Sequence, residues 1–284
     1  HRYLKMIYQN PNYCMGNRST WQKFQVALSI LKNPFTLLWD KLGLVKDPIY
    51  KTRATVQRSS MEFMTRGRTT DINDAVVVLS GKEYPPELIG LSLSKPELGQ
   101  SQPMVMDCGG HIGSFTMYIK SYWPNAKILA LEPVPENLEL YEANIKRNHL
   151  EDVNVIPYAV YGESGTFYID LSNKQMDAVH ITPEKPTHNL FIEVQAKTLD
   201  EILQDANISA VDLMKLDIEG AEYHLFQHSV QALNTHVRRI IMEFHPAGNL
   251  AKRNEIVEAL CGEGGSFELV YETKNILGFQ NSKL

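Results

Sequence analysis

Short apolar segments alternate with helical patterns after Pro103, and this alternation limits the possible folds more than any other feature of the 284-residue chain. The apolar segments lie at residues 104–107, 127–132, 153–158, 211–216 and 237–244. Helical patterns separate them at residues 114–122, 136–147, 220–230 and 249–261. Because strands that alternate with helices of this length join through right-handed crossovers, the pattern predicts an α/β fold with a mostly parallel sheet.

The pattern changes in two places. Residues 267–273 and 276–279 lie only a few positions apart, so they predict an antiparallel hairpin at the edge of the sheet. An insertion spans residues 162–196, where alternating segments at 165–170 and 190–196 predict two strands that flank a loop.

A stretch rich in Ser, Pro and Gly at residues 90–103 indicates a boundary before the regular part of the chain. We therefore expect an N-terminal extension or lid over residues 1–100, mainly helical with a short β segment, and a main domain over residues 101–284. Residues 1–20 are polar and predict a loosely docked arm.

Two amphipathic helices are predicted between residues 21 and 44. Apolar residues at three- and four-residue spacing define one face of the first helix: Trp21, Phe24, Ala27, Leu28 and Leu31. Asn33-Pro34 ends this helix, and residues 35–44 form the second. The two helices either pack on the main domain or make peripheral contact with a membrane surface. Packing is favoured because their polar faces carry few cations.

Residues 48–70 alternate and contain several basic side chains, Arg66 among them. This pattern predicts a short β segment with a solvated, charged face. The stretch 71–80 then predicts a helix. Asp71 or Asn73 is expected to cap this helix by accepting hydrogen bonds from its first free amides.

Composition excludes several classes of protein. With 43% hydrophobic and 21% charged residues the chain is typical of globular proteins, and its net charge of −5 argues against broad binding to nucleic acid. No apolar run approaches the roughly 18 residues that span a bilayer, and the first ten residues lack the apolar core of a signal peptide. The three cysteines have neither disulfide-framework nor zinc-site spacing, which favours a reducing compartment. We therefore expect a cytoplasmic protein, with a position at the inner face of the membrane left open.

The segment Pro103–Gly113 (PMVMDCGGHIG) combines a strand, an acid and a glycine-rich turn. Asp107 ends the apolar run, and Gly109 and Gly113 can adopt backbone angles that a Cβ atom forbids. A strand, a glycine turn and a helix N-terminus form the usual cradle for a nucleotide-like cofactor. Glycine is also common in tight turns that bind no ligand, so this segment alone does not distinguish the two.

Glu132 supplies a second signal for a cofactor. It ends the next strand, nineteen residues after Gly113, where a carboxylate accepts hydrogen bonds from both hydroxyls of a ribose. We therefore predict that the sheet binds a nucleotide-type cofactor. The alternative is a purely structural acid at a strand end.

Acidic residues and a histidine end two further strands. Asp217 and Glu219 lie in LMKLDIEGAE, and Glu243 and His245 lie in IIMEFHP. Because the carboxyl ends of parallel strands face one crevice, these side chains are expected beside the cofactor cradle. They suit general base catalysis on a hydroxyl or a divalent metal site, and we predict the base chemistry without a metal. Alternatively, Glu219 and Glu222 only cap the following helix.

These segments also occur together in a known family. DCGGHIGSFT, LALEPVPENLELYEANIKRN, VIPYAVYGESG, KTLDEIL, DLMKLDIEGAEYHLF and IIMEFH, in this order, resemble the FkbM family of S-adenosylmethionine-dependent methyltransferases over residues 100–280. The resemblance implies the class I methyltransferase fold, a Rossmann-like sheet of seven mostly parallel strands with an antiparallel edge hairpin. It also implies O-methyl transfer, and many relatives act on sugars of surface polysaccharides and glycolipids.

The resemblance assigns cofactor contacts position by position. It implies contacts from Asp107, Gly109, Gly113 and Ser114, a ribose contact from Glu132, and Ala159 and Val160 beside the adenine. His111 departs from the family pattern, which has asparagine at this place beside the carboxylate of the cofactor. We include His111 among the predicted cofactor residues.

The predicted reaction is direct transfer of a methyl group from S-adenosylmethionine to a substrate hydroxyl, assisted by a base. His245 is the first candidate base, with Asp217 or Glu219 orienting it or binding the substrate. The acceptor is expected to be a glycan or a small molecule, recognised by the N-terminal helices and the 162–196 insertion. The alternatives are a protein or nucleic-acid methyltransferase and a non-catalytic scaffold with a cofactor fold.

Overall fold

The structure is a computed structural model that describes residues 20–57, 59–87, 102–170, 181–245, 249–273 and 275–284, without the side chains of residues 20–23. The chain divides into two compact units. The first comprises residues 1–102, 110–126 and 136–153, and the second comprises residues 103–109, 127–135 and 154–284. Nearly all of the predicted N-terminal arm and most of the predicted boundary stretch lie outside the described residues. The division of the chain at residue 100 stays a prediction.

Five helices and one hairpin make up the described part of the first unit. The helices are α1 (Thr20–Ile30), α2 (Phe35–Lys41), α3 (Asp71–Leu79), α4 (Ser114–Tyr122) and all but the first residue of α5 (Pro135–Arg147), and the strands are β1 (Ile49–Val56) and β2 (Ser59–Arg66). The two strands pair antiparallel over their full length, from Ile49 opposite Arg66 to Val56 opposite Ser59. The β segment predicted at residues 48–70 is therefore a complete hairpin.

Two details of the extension differ from the prediction. Leu28, predicted on the same apolar face of α1 as Ala27, is half-exposed, whereas Ala27 and the unpredicted Val26 are buried. The N-cap residue of α3 is Thr70, whose side chain makes no capping hydrogen bond, and the amide of Asp71 donates to Oγ1 of Thr69. Asp71 instead accepts hydrogen bonds from the backbone amide and the guanidinium of Arg66 at the end of β2, which occupy both of its carboxylate oxygens.

A seven-stranded sheet forms the centre of the second unit. Its strands are β3 (Met104–Cys108), β4 (Lys127–Leu131), β5 (Val153–Ile156), β10 (Leu213–Leu216), β11 (Arg239–Glu243), β12 (Phe267–Glu272) and β13 (Ile276–Asn281), in the order β12-β13-β11-β10-β3-β4-β5. Strand β3 is parallel to β4 and β10, and β10 is parallel to β11. Strand β13 is antiparallel to both β11 and β12. This topology confirms the predicted class I methyltransferase fold with its antiparallel edge hairpin.

A second, four-stranded sheet contains the predicted insertion. Its strands are β6 (Tyr158–Val160), β7 (Gly165–Asp170), β8 (Ile181–Thr182) and β9 (Phe191–Lys197), in the order β6-β9-β7-β8. Strands β7 and β9 pair antiparallel, as the two alternating segments predicted. Phe167 and Val194 of this sheet pack in a small apolar cluster with Ala159 and Ala221.

Three helices complete the second unit: α6 (Leu199–Asp205), α7 (Glu222–His236) and α8 (Leu250–Cys261). Their apolar faces pack with β3, β10 and β11 in the main core, to which α7 contributes Leu225 and Phe226. Helix α6 was not predicted, although Thr198 and Glu201 form the capping box that signals its start. Within the described ranges, no helix has the length and apolar character needed to cross a bilayer.

Candidate active site

Four neighbouring strands, β4, β3, β10 and β11, end at one edge of the large sheet. Their register places Cys108 beside Leu131 and Leu216, and Leu216 beside Met242. The predicted residues Asp107, Gly109, Glu132, Asp217, Glu219, Glu243 and His245 all lie at or just after these strand ends. The second unit therefore collects this part of the predicted site at a single edge, as parallel pairing requires.

Gly109 has to be glycine because of the way the strand ends pack. Its φ of +79° lies in the left-handed region, and a Cβ atom there would lie 1.8 Å from the backbone oxygen of Asp217. Its amide donates a hydrogen bond to the carbonyl oxygen of Leu131 at 3.0 Å. The requirement for glycine therefore arises from the approach of β10 and does not depend on a ligand.

Lys215 is a buried cation between the acids of two strand ends. Its Nζ atom lies 3.5 Å from Oδ1 of Asp107 and 3.4 Å from Oδ2 of Asp217. It also donates a hydrogen bond to the carbonyl oxygen of Gly109 at 2.6 Å. Because Asp107 is fully buried, the lysine compensates its charge and anchors the end of β3. Sequence reasoning missed Lys215, although a lysine inside the apolar strand LMKL was an available signal.

Glu222 organises the loop that follows β10. Its fully buried carboxylate accepts hydrogen bonds from the amides of Ile218 at 3.2 Å and Gly220 at 3.0 Å, and Oε1 lies 3.2 Å from Nδ1 of His245. The backbone of Glu219, between the two amides, has a φ of +51°, which is strained for a residue with a side chain. Glu222 therefore orients His245 and holds the strained loop, and it does not act as a simple helix cap.

His245 is surrounded by carboxylates. Its Nε2 atom lies 3.8 Å from Oε2 of Glu219 and 3.7 Å from Oε1 of Glu243. Burial alone lowers the pKa of His245, but the hydrogen bond to Glu222 and the nearby negative charges outweigh burial and raise the pKa to about 10. The imidazole is therefore positively charged at neutral pH.

Glu219 is the most accessible acid of this group. Its side chain is 46% exposed, compared with 25% for Asp217 and 20% for Glu243. The partial burial of its carboxylate, followed by the negative charge of Asp217, raises the pKa of Glu219 to about 7, although the charge of His245 opposes the shift. A carboxylate of this kind is suited to accept a proton near neutral pH.

The same edge has a geometry compatible with a cation. One ligand atom from each of Asp217, Glu243 and His245 lies within 4.8 Å of the others. Carboxylate and imidazole ligands suit several divalent ions, so the spacing does not identify one. Metal-free chemistry, which the sequence favoured, stays a prediction.

Glu132 is buried at the end of β4, where its Oε1 atom accepts a hydrogen bond from the amide of Val134 at 3.0 Å. This contact holds the carboxylate at the strand end. Ala159 and Val160, at the end of β6, are also buried and lie in parallel register with Ala196 and Lys197. The assignment of these three residues to ribose and adenine stays a prediction.

His111 in the first unit is held by the N-terminal extension. Its Nε2 atom lies 3.2 Å from Oδ1 of Asp71 and 3.1 Å from Nη2 of Arg66. Arg66 makes a two-point contact with Asp71, at 2.9 and 3.0 Å, and also donates to Oδ1 of Asn137 at 2.7 Å. Arg66 is therefore part of a half-buried ion-pair network around the buried Asp71, not of a solvated face. We call Arg66, Asp71, His111 and Asn137 the extension clamp.

Gly113 and Ser114 begin helix α4 beside this clamp. Gly113 has a φ of +85°, and no side chain caps the helix. Ser114 is buried, and within the described chain its Oγ atom has no hydrogen-bond partner. A buried hydroxyl next to free helix amides is a place where a polar group of a ligand can be satisfied. Contacts from His111, Gly113 and Ser114 to a cofactor stay predictions.

A cavity of about 310 Å³ opens between α7 and the four-stranded sheet of the second unit. Its lining includes Tyr161, Glu163, Thr182, His224 and His228. The ring of Tyr161 stacks on that of His224 with centroids 5.1 Å apart. The insertion therefore lines a partly polar cavity with both hydrogen-bond donors and acceptors.

The family model described as the methyltransferase FkbM domain matches residues 107–267, which is more than half of the chain. The chain belongs to the FkbM methyltransferase family. The matched region of this FkbM methyltransferase includes every strand end described above, whereas β1, β2 and the first three helices lie outside it. The resemblance found in the sequence is thereby confirmed.

Curated relatives are similar over part of their length. Methyltransferase sdnD from Sordaria araneosa is 26% identical over 178 residues, which cover 52% of this chain and 69% of the relative. Methyltransferase 1 from Beauveria bassiana is 28% identical over 136 residues, which cover 42% of this chain and only 55% of that protein. The 31-O-demethyl-FK506 methyltransferase FkbM from Streptomyces tacrolimicus is 24% identical over 189 residues, which cover 57% of this chain and 72% of that protein.

A solved structure is also similar. The crystal structure of methyltransferase FkbM from Methylobacillus flagellatus KT matches with a TM-score of 0.45 and 16% identity, over 74% of this chain and 54% of that one. Similarity at this level supports no conclusion about activity, so the family assignment depends on the domain match.

Proposed function

We propose that this FkbM methyltransferase uses S-adenosylmethionine to methylate a hydroxyl group, of a sugar in a polysaccharide or glycolipid or of a secondary metabolite. The observation that carries the proposal is the acid cluster around His245 at the same sheet edge as Gly109 and Glu132. The name of the Streptomyces relative describes a methyltransferase of 31-O-demethyl-FK506, which agrees with methyl transfer to an oxygen.

The residues present fit the cofactor. The carboxylate of Glu132 is fixed at the strand end where a ribose diol would be bound. Ala159 and Val160 are small, apolar and buried at the end of β6, and the family resemblance is the reason for placing an adenine beside them. When bound, S-adenosylmethionine supplies a methyl group on a sulfonium, which a hydroxyl oxygen can accept directly.

Glu219 is the residue that we propose as the base. It is the most exposed acid of the cluster, and its raised pKa suits removal of a proton from a hydroxyl. His245, which the sequence placed first, carries its own proton at neutral pH and so has no free nitrogen to accept another. We assign His245 the task of holding Glu219 and Glu243 in place. Asp217, which contacts Lys215, is assigned to binding of the acceptor.

Acceptor recognition is proposed at the cavity of the insertion. Glu163 and Thr182 offer oxygen acceptors, and His224 and His228 offer ring nitrogens, which together suit the hydroxyls of a sugar or polyol. A transfer assay with labelled cofactor against glycans, small alcohols, protein and RNA tests this choice. Label that enters only protein or RNA would favour the alternative methyltransferase classes.

Calorimetry is expected to show binding of S-adenosylmethionine to the isolated chain, without any acceptor. Glu132→Gln should weaken that binding at least tenfold, because a charged hydrogen bond contributes about 1.5–3 kcal/mol. Glu139→Gln, on the exposed surface of α5, is the matched control and should bind like the wild type. If the wild-type chain bound no cofactor, the scaffold alternative would replace the proposed enzyme.

The pH profile of transfer tests the role of Glu219. A base with a raised pKa is protonated and inactive at low pH, so kcat/KM should rise with pH through about 7. Asp217→Asn removes a negative charge that raises this pKa, so the rise should move to lower pH even though the rate itself falls. The profile is measured under single-turnover conditions. If kcat/KM rises at the same pH in Asp217→Asn as in the wild type, Glu219 is not the titrating group.

A further inference from the structure

Helix α2 presents its apolar stripe to solvent. Phe35, Leu38, Trp39 and Leu42 follow the spacing i, i+3, i+4 and i+7 of one helical face, yet their exposed fractions are 51%, 37%, 45% and 62%. Such a stripe normally faces the core of a globular protein. In this helix the side chains that point inward are Leu37 and Asp40.

The orientation of α2 is fixed by a polar contact. Asp40 is only 2% exposed, and its Oδ1 atom accepts a hydrogen bond from the amide of Arg68 at 2.8 Å. Rolling the helix to bury its apolar stripe would move this carboxylate away from its donor. The hydrogen bond therefore fixes the rotation of α2 within the first unit, and this rotation keeps the apolar stripe exposed.

Exposed large hydrophobic side chains are concentrated in this part of the described chain. Of the eleven large hydrophobic side chains exposed in the described chain, seven lie between residues 28 and 49: Leu28, Phe35, Leu38, Trp39, Leu42, Leu44 and Ile49. We call these seven the apolar patch. The rings of Phe35 and Trp39 stack with centroids 6.4 Å apart, and Phe24 lies 5.9 Å from Phe35. A concentration of this kind indicates an interaction surface.

Charged side chains within the span of the apolar patch are mostly positive although the whole chain is acidic. Between residues 28 and 49 the chain has three lysines (Lys32, Lys41 and Lys46) and two acids, the buried Asp40 and the exposed Asp47. The chain as a whole has a net charge of −5. Lys32, Lys41 and Lys46 are exposed around the apolar patch.

We propose that the apolar patch docks on the surface of a lipid bilayer that contains anionic lipids. Trp, Phe and Leu side chains on a helix lying in the membrane plane enter the boundary between headgroups and acyl chains, and flanking lysines bind the acidic headgroups. The sequence favoured packing of these helices on the protein, and Val26, Ala27 and Leu37 do pack inward. The face left outward is apolar with a cationic border.

A second copy of the chain is a poorer occupant for this surface. A two-fold interface places identical patches against each other, which would bring the lysines of both copies together. Like charges facing each other across an interface oppose association. An anionic bilayer instead complements these charges.

Vesicle sedimentation with the full chain tests the proposal. We expect binding to phosphatidylcholine vesicles with about 30% phosphatidylglycerol, little binding to phosphatidylcholine alone, and release of the protein as salt screens the lysines. The double variant Trp39→Ser/Leu42→Ser should bind at least tenfold more weakly. Leu250→Ser, at an equally exposed leucine in the second unit, is the matched control and should bind like the wild type.

A second measurement separates the other outcomes. Light scattering after size exclusion reports the oligomeric state without vesicles, and circular dichroism reports the fold of each variant. A dimer that Trp39→Ser/Leu42→Ser converts to a monomer, with no vesicle binding by the wild type, would assign the patch to a second copy. Equal vesicle binding by the double variant and the wild type would also overturn the proposal. Neither result depends on cofactor binding, so the proposed enzymatic function is tested separately.

Discussion

Glu222→Gln is expected to lower the free energy of unfolding by about 3 kcal/mol or more, the range measured when one partner of a buried ion pair is removed. The carboxylate of Glu222 accepts hydrogen bonds from two backbone amides and contacts His245. A glutamine of the same shape has one acceptor oxygen, and its NH₂ group would face a donor. The strained backbone of Glu219 then loses its support.

The rate of methyl transfer should also fall in Glu222→Gln. We expect a loss of at least a hundredfold, measured at a temperature where the variant is still folded. Misplacement of a catalytic group by about 1 Å costs a factor of this size. Urea unfolding and single-turnover rates measure the two effects. Glu268→Gln, at an exposed position of β12, is the control, and surface changes of this kind stay within about 0.5 kcal/mol.

The pH dependence of Glu222→Gln gives an independent check. The folded-state pKa of His245 is raised to about 10, so its ion pairs stabilise the wild type fully below the unfolded value of 6.5 and are lost as pH rises toward 10. In Glu222→Gln the largest favourable contact is gone, so this loss of stability with pH should shrink. An NMR titration of the His245 ring that gave the same pKa in both proteins would contradict the assigned contact.

Asp71→Asn is the second change with a large expected effect, a loss of about 3 kcal/mol in the free energy of unfolding. Asp71 is 1% exposed and binds Arg66 and His111 within the extension clamp. Asparagine keeps the shape but leaves the guanidinium without its counter-charge. Asp47→Asn, at an exposed acid of the same unit, should change stability by less than about 0.5 kcal/mol.

The lowered pKa of Asp71 determines how the stability of the wild type changes with pH. Burial alone raises the pKa of this carboxyl, but hydrogen bonds from His111 and Arg66 outweigh burial and hold the pKa well below its usual range. The stabilisation is therefore complete above the unfolded pKa of 3.8 and is lost as pH falls through the folded value. Acid unfolding followed by circular dichroism should show this loss in the wild type and much less of it in Asp71→Asn. If the wild type and Asp71→Asn lose stability equally as pH falls, the proposed role of Asp71 in the extension clamp is wrong.

The strands and their ends could be predicted because periodicity is a local property. Alternating apolar runs and helical patterns gave the seven-stranded sheet, and parallel pairing alone requires Asp217 and His245 to share an edge with Glu132. Residues whose role depends on a distant partner could not be assigned in this way. Glu222 looks ordinary in the sequence, and Lys215 is unusual only as a lysine within an apolar strand. The importance of both depends on contacts with Asp107, Gly109 and His245.

In the N-terminal extension, too, local spacing predicted the helices but not the contacts between distant residues. Spacing predicted both α1 and α2, and it predicted the apolar stripe of α2. Spacing does not determine which way a stripe faces, because a buried polar contact can outweigh it, and here Asp40 and the amide of Arg68 turn the stripe outward. His111 is a similar case, since only the fold brings Asp71 and Arg66 to its ring.

By itself the sequence determined the fold class, the family and the identity of the residues at the strand ends, because these follow from local periodicity and short motifs. Only the tertiary structure decided which of those residues carries a proton near neutral pH, and which apolar face meets solvent. Burial and the charges of neighbouring groups set both properties, and they arise from residues far apart in the chain.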